Sequence, residues 1–173
     1  MKYTPQHLLA HTTSPLGPIT LASSPIGLCG LWFDGQKHMP NLQACSQGHS
    51  PFNDQAAGQI AQYFAGQRMQ FDVLLDLSLG TAFQQAVWQA LQTIGSGAHR
   101  SYGAVAQQIG KAAAVRAVGA AVGRNPISII VPCHRVLGAS GALTGYAGGL
   151  ERKTALLQLE HALPGHFTQA VLI

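Results

Sequence analysis

Residues 101–136 read SYGAVAQQIGKAAAVRAVGAAVGRNPISIIVPCHRV, and this stretch decides the fold of the second half of the chain. Ser101 begins one short helical pattern that closes at Gly110, and a second pattern carries valines at three- and four-residue spacing before Gly123. Two short helices joined through a glycine turn outline a helix-turn-helix, whose second helix enters a DNA groove. Many other helical hairpins share this outline, so the spacing alone leaves both interpretations open.

The distribution of charge favours the nucleic-acid interpretation. The chain of 173 residues carries 10 Lys and Arg against 6 Asp and Glu, for a formal net charge of +4. Residues 100–153 hold seven of these cations and one carboxylate, which gives this segment +6 and the remainder −2. Cations that neutralise phosphates drive affinity for nucleic acids by releasing counterions. The segment therefore predicts a polyanionic partner, with a solvated basic face as the alternative.

Composition excludes several classes of protein. A hydrophobic fraction of 47% is too high for intrinsic disorder. No apolar run approaches the roughly 20 residues of a membrane span, and Met1–Ala10 lacks the apolar block of a signal peptide. We therefore expect a soluble, cytoplasmic or nucleoid-associated protein that does not contact a membrane.

The cysteines argue against a disulfide framework and against a zinc ribbon. Cys29, Cys45 and Cys133 are odd in number and contain no C-x-x-C pair, so at least one thiol is free. The histidines near the first two cysteines match no zinc spacing. We predict no bound metal.

The first half of the chain alternates short β-favouring stretches with Pro and Gly. Residues 1–34 predict an antiparallel meander, and Asp34–Pro51 has no periodicity and is predicted to be a loop. Asp54 is the predicted N-cap of a helix that ends at Gly66, and Met69–Leu75 is predicted to be a further strand.

A domain boundary is predicted near Asp76–Gly80, where the pattern changes from strand-rich to helix-rich. Thr81 and Gln84 fit a capping box at the start of the next helix, and a final helix ends at Glu160. We therefore divide the chain into residues 1–77 and 78–173.

The most reactive local pattern is Pro-Cys-His-Arg-Val at residues 132–136, directly after a buried apolar run. A free thiol is only about 3% thiolate at neutral pH, so a nucleophilic cysteine needs a base and a positive environment. His134 is the candidate base for Cys133, and Arg135 is a candidate source of positive charge.

A carboxylate would fix the imidazole of His134 in one tautomer. Glu160 is favoured over Glu151, because it closes a helix whose apolar face must pack inward. Adjacent residues in extended backbone point apart, so Cys133 and His134 need a turn or a bridging water to communicate. Spacing alone equally allows a buried inert thiol beside a core imidazole.

These residues belong to a longer pattern with a known resemblance. The runs Arg116–Gly119, Asn125–Ile127, Val131–Val136 and Gly145–Leu150, followed by Lys153, resemble the signature of O6-alkylguanine-DNA alkyltransferases, also called methylated-DNA–protein-cysteine methyltransferases. This resemblance covers nearly half of the chain in order and spacing. The amino-terminal residues match the family only in general pattern.

The resemblance implies both a fold and an activity. The fold would be α+β, with a ribonuclease-H-like mixed α/β domain over residues 1–77 and a winged helix-turn-helix domain carrying the active site over residues 78–173. The activity would be DNA repair, in which O6-alkylguanine is flipped out of duplex DNA and its alkyl group is transferred irreversibly to Cys133. The enzyme would act once and need no cofactor, and O4-alkylthymine would be a further substrate.

The resemblance also implies catalytic roles. Cys133 would attack the alkyl carbon and become a thioether, and His134 would accept the thiol proton through a water. Glu160 would orient the imidazole, and Asn125 would hold the local backbone by hydrogen bonds.

Further roles would concern the guanine. Tyr102 would donate a hydrogen bond to the ring and crowd the 3′ phosphate. The backbone carbonyls of Cys133 and Val136 would accept from the exocyclic amine, while the backbone N–H of Ala147 would face O6. The other implied substrate-binding residues are Tyr146 and Lys153.

DNA itself would be contacted in the minor groove by the second helix. Arg116 would fill the gap that the flipped base leaves in the stack, and small neighbouring residues would let the helix approach closely. We expect a monomer, and the sequence leaves open whether copies bind side by side. The remaining residues implied at the DNA surface are Ala114, Val115, Gly119 and Arg135.

Two other functions remain in contention. A multiple-turnover thiol hydrolase or acyltransferase would use Cys133, His134 and Glu160 without DNA. A helix-turn-helix regulator or damage sensor would bind lesions without removing them, although non-catalytic members of the resembled family lack the cysteine.

Overall fold

Three antiparallel strands form the amino-terminal sheet of the computed structural model, which describes residues 1–163. They are β1 (Leu8–Thr12), β2 (Ile19–Ser24) and β3 (Gly27–Phe33), and they confirm the predicted meander. A fourth strand, β4 (Ser46–Gln47), pairs in parallel with β1 inside the segment predicted to be a loop. Its two residues are too few to produce a periodic pattern in the sequence.

Both faces of this sheet are covered. Leu31 and Phe33 of β3 point into the main hydrophobic core, while Cys29 and Trp32 belong to a second, smaller cluster on the other face. Leu31, Trp32 and Phe33 alternate with the two-residue period of a strand, and the irregular register between Ala22 and Ser23 places Cys29 on the same face as Trp32. The main core continues into the carboxyl-terminal half, so the two halves pack together.

Helix α1 (Pro51–Phe64) covers the sheet and begins earlier than predicted. Its N-cap is Ser50, and Asp54 lies within the first turn, so the predicted cap was wrong. Proline suits the first helical position because its φ is already helical and its missing N–H would have had no partner there.

The predicted strand at Met69–Leu75 is wrong over most of its length. Only Leu75 forms a bridge, to Leu28 of β3, and Leu74 is 63% exposed. The segment therefore meets β3 at one point and does not run along it. Gly27 permits this approach, because a Cβ there would lie 2.8 Å from the carbonyl oxygen of Leu74.

Helix α2 (Ala82–Gln92) opens the carboxyl-terminal half with the predicted capping box. The side chain of Thr81 accepts from the backbone N–H of Gln84, and the side chain of Gln84 accepts from the backbone N–H of Thr81. The indole of Trp88 donates to the carbonyl of Ala121 at 2.9 Å, which ties α2 to the helix that follows the turn.

Helices α3 (Tyr102–Gln108) and α4 (Val115–Gly123) confirm the predicted pair of short helices. Ser101 caps α3, and Gly110 closes it with a φ of 68°, which favours glycine. Val115 is 40% exposed at the start of α4, whereas Val118 and Val122 are buried.

The chain then returns towards the sheet before reaching the cysteine. Residues 127–131 are buried as predicted, but only Ile127 bridges to Leu31 of β3, and Ile129 turns with a φ of 69°. The rest of the fold comprises the parallel pair β5 (Arg100–Ser101) and β6 (Val136–Leu137) and the last helix, α5 (Leu150–Leu159). Among residues 1–163, no helix combines the length and apolar character needed to cross a membrane.

Candidate active site

Cys133 begins a single 3-10 turn, Cys133–Arg135, between the buried run and β6. Adjacent residues in extended backbone would point apart, and this turn removes that obstacle to proton transfer between the side chains of Cys133 and His134. Both residues are almost fully buried, with exposed fractions of 4% and 0%. No direct hydrogen bond joins the two side chains within the described part of the chain.

Glu160, the C-cap of α5, accepts four hydrogen bonds from three side chains. Tyr63 Oη donates to Oε1 at 2.7 Å and His134 Nε2 lies 2.9 Å from the same oxygen. Arg135 approaches both oxygens, with Nε and Nη2 each donating at 2.8 Å. Burial alone would raise the pKa of Glu160, but the bonds from His134 and Arg135 outweigh it and lower the pKa to about 2.

The ionised Glu160 fixes the tautomer of His134. Because a carboxylate can only accept, Nε2 of His134 must carry the hydrogen. Burial lowers the pKa of His134, which keeps the ring neutral and makes Nδ1 an acceptor. Nδ1 is buried and has no hydrogen-bond partner among residues 1–163. The ring is therefore oriented to take up a proton at Nδ1.

Asn125 organises the backbone around the thiol. Its Nδ2 donates to the carbonyl of Val131 at 2.7 Å and lies 3.0 Å from Sγ of Cys133. Its Oδ1 accepts from the backbone N–H of Ile127 at 3.0 Å, so one amide holds both ends of the buried run.

Opposing influences act on the thiol. Burial raises the pKa of Cys133, whereas the hydrogen bond from Asn125 and the positive charge of Lys153 lower it. The sequence analysis expected Arg135 to supply this positive charge. In the structure it is the charge of Lys153 that lowers the pKa of the thiol.

Lys153 lies inside the protein and does not line the cavity, in contrast to its predicted contact with substrate. Its Nζ donates to the carbonyls of Val136 at 2.6 Å and Thr144 at 2.8 Å, with Gly145 at 3.5 Å. Burial lowers the pKa of Lys153 to about 8, against the influence of Cys133. The lysine therefore ties the loop that follows β6 to β6 itself.

Arg135 also does not lie at its predicted position on the DNA surface. It is 6% exposed, and its guanidinium is used by Glu160 and by the carbonyl of Ile94. Three of the five N–H donors of Arg135 are used in this way, and the burial of its side chain keeps it away from the DNA surface. The structure gives Arg135 a buried place behind the imidazole instead of the predicted place on the DNA surface.

A cavity of about 180 Å³ opens onto Cys133. Tyr102, half-buried, has Oη 3.5 Å from the carbonyl of Thr144, and burial raises the pKa of Tyr102, so its hydroxyl stays protonated. The carbonyl of Val136 already accepts from Lys153, and that of Cys133 from the N–H of Val136. The lining residues are Lys37, His38, Tyr102, Gly119, Val122, Gly123, Cys133, Gly145, Tyr146 and Ala147.

Four of these lining residues were missed by the sequence analysis: Lys37, His38, Val122 and Gly123. The first two come from the amino-terminal half, where the backbone N–H of Lys37 donates to the carbonyl of Ala147 at 2.9 Å. One signal was available, since Lys37 is one of only three cations outside residues 100–153.

The surface beside the cavity is the exposed side of α4. Arg116 is exposed there among alanines, and Gly119 lies against the ring of Tyr102. Ala114 ends the 3-10 turn that precedes the helix, and Val115 follows it on the surface. Within residues 1–163, no group of three or more His, Cys, Asp or Glu side chains is placed to hold a metal ion.

Comparison with protein families covers both halves of the chain. The family model for the DNA-binding domain of 6-O-methylguanine DNA methyltransferase matches residues 82–162, and that for the ribonuclease-like domain matches residues 8–77. The chain belongs to this methyltransferase family. Its two-domain α+β fold is the one that the sequence resemblance implied.

Relatives of this methyltransferase family support the assignment along most of the chain. A methylated-DNA–protein-cysteine methyltransferase of Mycobacterium tuberculosis is 54% identical over 147 residues, which are 85% of this chain and 88% of the relative. One from Methanosarcina acetivorans is 48% identical over 85% of this chain and 94% of its own length.

A solved structure of the family has the same architecture. Mycobacterium tuberculosis OGT in complex with DNA matches with a TM-score of 0.81 and 50% identity, covering 90% of this chain and 92% of that one. A methyltransferase from Pyrococcus kodakaraensis, 22% identical, shares the fold with a TM-score of 0.60 over 89% of this chain and 98% of that one.

Proposed function

We propose that this protein repairs alkylated DNA by transferring the alkyl group from O6 of guanine to Sγ of Cys133, in a single turnover. The observation that carries the proposal is the arrangement around the thiol. Cys133 lies at a small cavity beside a helix-turn-helix, and its neighbours include both a neutral imidazole and a hydrogen-bond donor.

His134 receives the thiol proton at Nδ1. The absence of a direct contact between the two side chains among the described residues makes a bridging water the natural carrier. Glu160 holds the ring and stabilises the imidazolium that forms, as the carboxylate of a catalytic triad does. This relay supplies the thiolate that burial alone would disfavour.

The thiolate then displaces the guanine from the alkyl carbon. A carbon–sulfur bond forms as the carbon–oxygen bond breaks, and the bonding electrons leave with the guanine. The guanine takes up a proton from water, and the imidazolium of His134 returns the thiol's proton to water, so the protons balance. Negative charge develops on the ring, so donors such as the Tyr102 hydroxyl and the Ala147 N–H stabilise the transition state more than the ground state. O4-alkylthymine presents the same bond and is included in the proposal.

The thioether is permanent, because it offers no carbonyl or ester carbon for water to attack. Of the carboxylates in the described chain, the nearest to the turn is Glu160, and its oxygens already accept from Tyr63, His134 and Arg135. His134 can accept a proton again, but the thioether has no carbonyl carbon at which a water activated by that base could attack. This separates the proposal from the turnover hydrolase that uses the same three residues.

The alkylated base must leave the duplex, since a thiol buried at 4% exposure cannot reach a stacked guanine. We propose that α4 lies in the minor groove and that Arg116 occupies the gap in the stack. The cavity is smaller than the roughly 300–1,000 Å³ of pockets for drug-sized ligands and suits one base.

In the bound state, the free lone pairs on the carbonyls of Cys133 and Val136 accept from the exocyclic amine of that base. The protein acts as a monomer, in the cytoplasm, on double-stranded DNA.

A titration tests the stoichiometry. A fixed amount of protein is mixed with increasing amounts of a duplex carrying one O6-methylguanine, and restored guanine is counted. We expect repair to stop at one lesion per chain, with none for Cys133→Ala and an unchanged plateau for the control Cys45→Ala. Repair beyond one lesion per chain would favour a turnover enzyme, and binding without repair would favour a sensor.

A further inference from the structure

The segment that follows β3 reaches across to the active-site cavity and is firmly held there. We call residues 34–38 the β3 loop. Gln36, 7% exposed, accepts from the backbone N–H of Phe33 at 3.0 Å and from Ser128 Oγ at 3.1 Å. The backbone N–H of Lys37 donates to the carbonyl of Ala147 at 2.9 Å. The loop is thus bonded to both the buried run before Cys133 and the loop after it.

The backbone of the β3 loop is also unusual. His38 has a φ of 62°, in the left-handed region that residues other than glycine seldom adopt. Such a conformation persists where surrounding contacts hold it. Both Lys37 and His38 line the cavity that contains Cys133, although they belong to the other domain.

The side chain of Lys37 brings a positive charge that has no partner in the described part of the chain. The residue is exposed, and its ammonium group makes no ion pair or hydrogen bond with any group in residues 1–163. Residues 1–77 contain three cations against four carboxylates, so this domain has no general attraction for DNA. Lys37 is the cation of that domain that lies at the cavity.

A nucleotide that enters the cavity brings its two flanking phosphates to the cavity mouth, because the chain must return to the duplex on either side. The same cavity is also lined by Gly119, Val122 and Gly123 of α4. We propose that Lys37 binds a backbone phosphate beside the extruded nucleotide, so that the amino-terminal domain completes the DNA-binding site. This inference rests on the proposed function.

Equilibrium binding at several salt concentrations tests the contact. The parent is Cys133→Ala, which prevents alkyl transfer, and the ligand is a duplex with one O6-methylguanine. Adding Lys37→Gln should weaken binding by up to about fivefold, the upper end of the range for one exposed ion pair. It should also reduce the slope of log affinity against log salt by about 0.9, the value for one phosphate contact.

The control is Lys2→Gln, which removes an exposed lysine of the same domain away from the cavity. It should leave both affinity and slope unchanged, and Lys37→Arg should retain both. The loss for Lys37→Gln should be larger with the lesion duplex than with an undamaged duplex. An unchanged slope, or equal losses for Lys2→Gln and Lys37→Gln, would overturn the inference.

Reaction rates separate this inference from the proposed function. With Cys133 intact, Lys37→Gln should slow repair of the duplex by a larger factor than the reaction with the free base O6-methylguanine, since the free base has no phosphate. An equal loss with both substrates would assign Lys37 to the base and overturn the phosphate contact. Failure of the unsubstituted protein to react with either substrate would instead contradict the proposed function.

Discussion

At Cys133, reactivity depends on a balance between burial and two neighbours. Burial raises the pKa of the thiol, while the Asn125 amide and the Lys153 ammonium lower it. The neutral His134 beside them can take up the proton that the thiol loses. The thiol is therefore protonated at rest, and the proposed mechanism needs the relay through His134 to ionise it.

Removing the amide of Asn125 should make the thiolate harder to form. A hydrogen bond to a charged group contributes about 1.5–3 kcal/mol, so Asn125→Ala should slow alkyl transfer at pH 7 about tenfold to a hundredfold. The pH–rate profile should move to higher pH, because the thiol pKa rises. Partial recovery at high pH would distinguish this effect from misfolding, and a profile of unchanged position would refute it.

The ionised Glu160 also contributes to the free energy of unfolding. Its pKa is about 2 in the folded protein against an ordinary value of 4.5. A group whose pKa is lowered by folding stabilises the folded state at pH values above its pKa in the unfolded chain. The stabilisation by Glu160 should therefore disappear as the pH falls from about 4.5 to about 2. It amounts to about 3 kcal/mol. Urea unfolding of wild type should show the loss, and Glu160→Gln, already uncharged, should lack it.

The matched control for this measurement is Glu151→Gln, which removes an exposed carboxylate from the same helix. Its unfolding free energy should follow that of wild type across the acid range. If Glu160→Gln also follows wild type, the carboxylate is not held ionised by its buried partners.

The sequence predicted much of this residue-level chemistry but not all of it. The preference for Glu160 over Glu151 rested on an inward helix face, and the structure brings Glu160 to His134. The buried position of Arg135 was not predictable, because in a single 3-10 turn the direction of each side chain depends on what packs around it. Lys153 lies in α5, and its buried position depends on carbonyls of β6 and of the loop after it, which no local pattern indicates. Charge alone suggested an exposed role for both.

Among the helices and strands, the sequence predicted correctly the features whose interacting residues lie close together in the chain. The capping box of α2 uses two residues three positions apart, and it was predicted from them alone. The segment at Met69–Leu75 failed because a strand needs a neighbour, and β3 offers it only one bridging position. The start of α1 failed because Ser50 and Pro51 supplied a better beginning upstream of Asp54.

Helix α4 carries the prediction that concerns DNA. Arg116 is exposed on its outer side, so Arg116→Ala should slow repair of a lesion within a duplex by roughly tenfold, since filling the gap offsets a few kcal/mol of unstacking. The reaction with free O6-methylguanine should not change. Arg124→Ala, at the other end of the helix, is the control and should have a smaller effect on the duplex reaction. Equal losses for both variants would indicate general charge attraction.

Across the whole molecule, Arg152 joins the two halves at the active-site loop. Its Nε donates to the carbonyl of Leu16 at 2.9 Å and its Nη1 to that of Gly148 at 3.2 Å. The guanidinium also lies 4.7 Å from the ring centroid of Phe33. The sheet of one domain therefore positions the loop that carries Tyr146 and Ala147 in the other.

Arg152→Ala should weaken this connection. We expect a loss of about 1.5–4 kcal/mol in the free energy of unfolding, the sum of two part-buried hydrogen bonds and a cation–π contact. Alkyl transfer should slow because the cavity loop is less well held. Arg100→Ala, on an exposed arginine, should change neither property, and a wild-type rate for Arg152→Ala would show that the loop needs no support.

Contacts of this kind, between residues far apart in the chain, could not be predicted from the sequence. The division into residues 1–77 and 78–173 stays a prediction, since the two domains share one hydrophobic core and the family models match residues 8–77 and 82–162. The β3 loop had no local pattern at all, and only the fold shows that it lies at the cavity. Nothing in its composition except Lys37 pointed to a role.

The central claim is that Cys133 itself keeps the alkyl group. The most direct measurement is the intact mass of the protein after incubation with excess duplex carrying one O6-methylguanine. The account predicts a gain of one methylene mass per chain that does not increase with time, located by peptide mapping at Cys133 and absent in Cys133→Ala. Repaired DNA with an unmodified protein, or a gain that persists in Cys133→Ala, would contradict it.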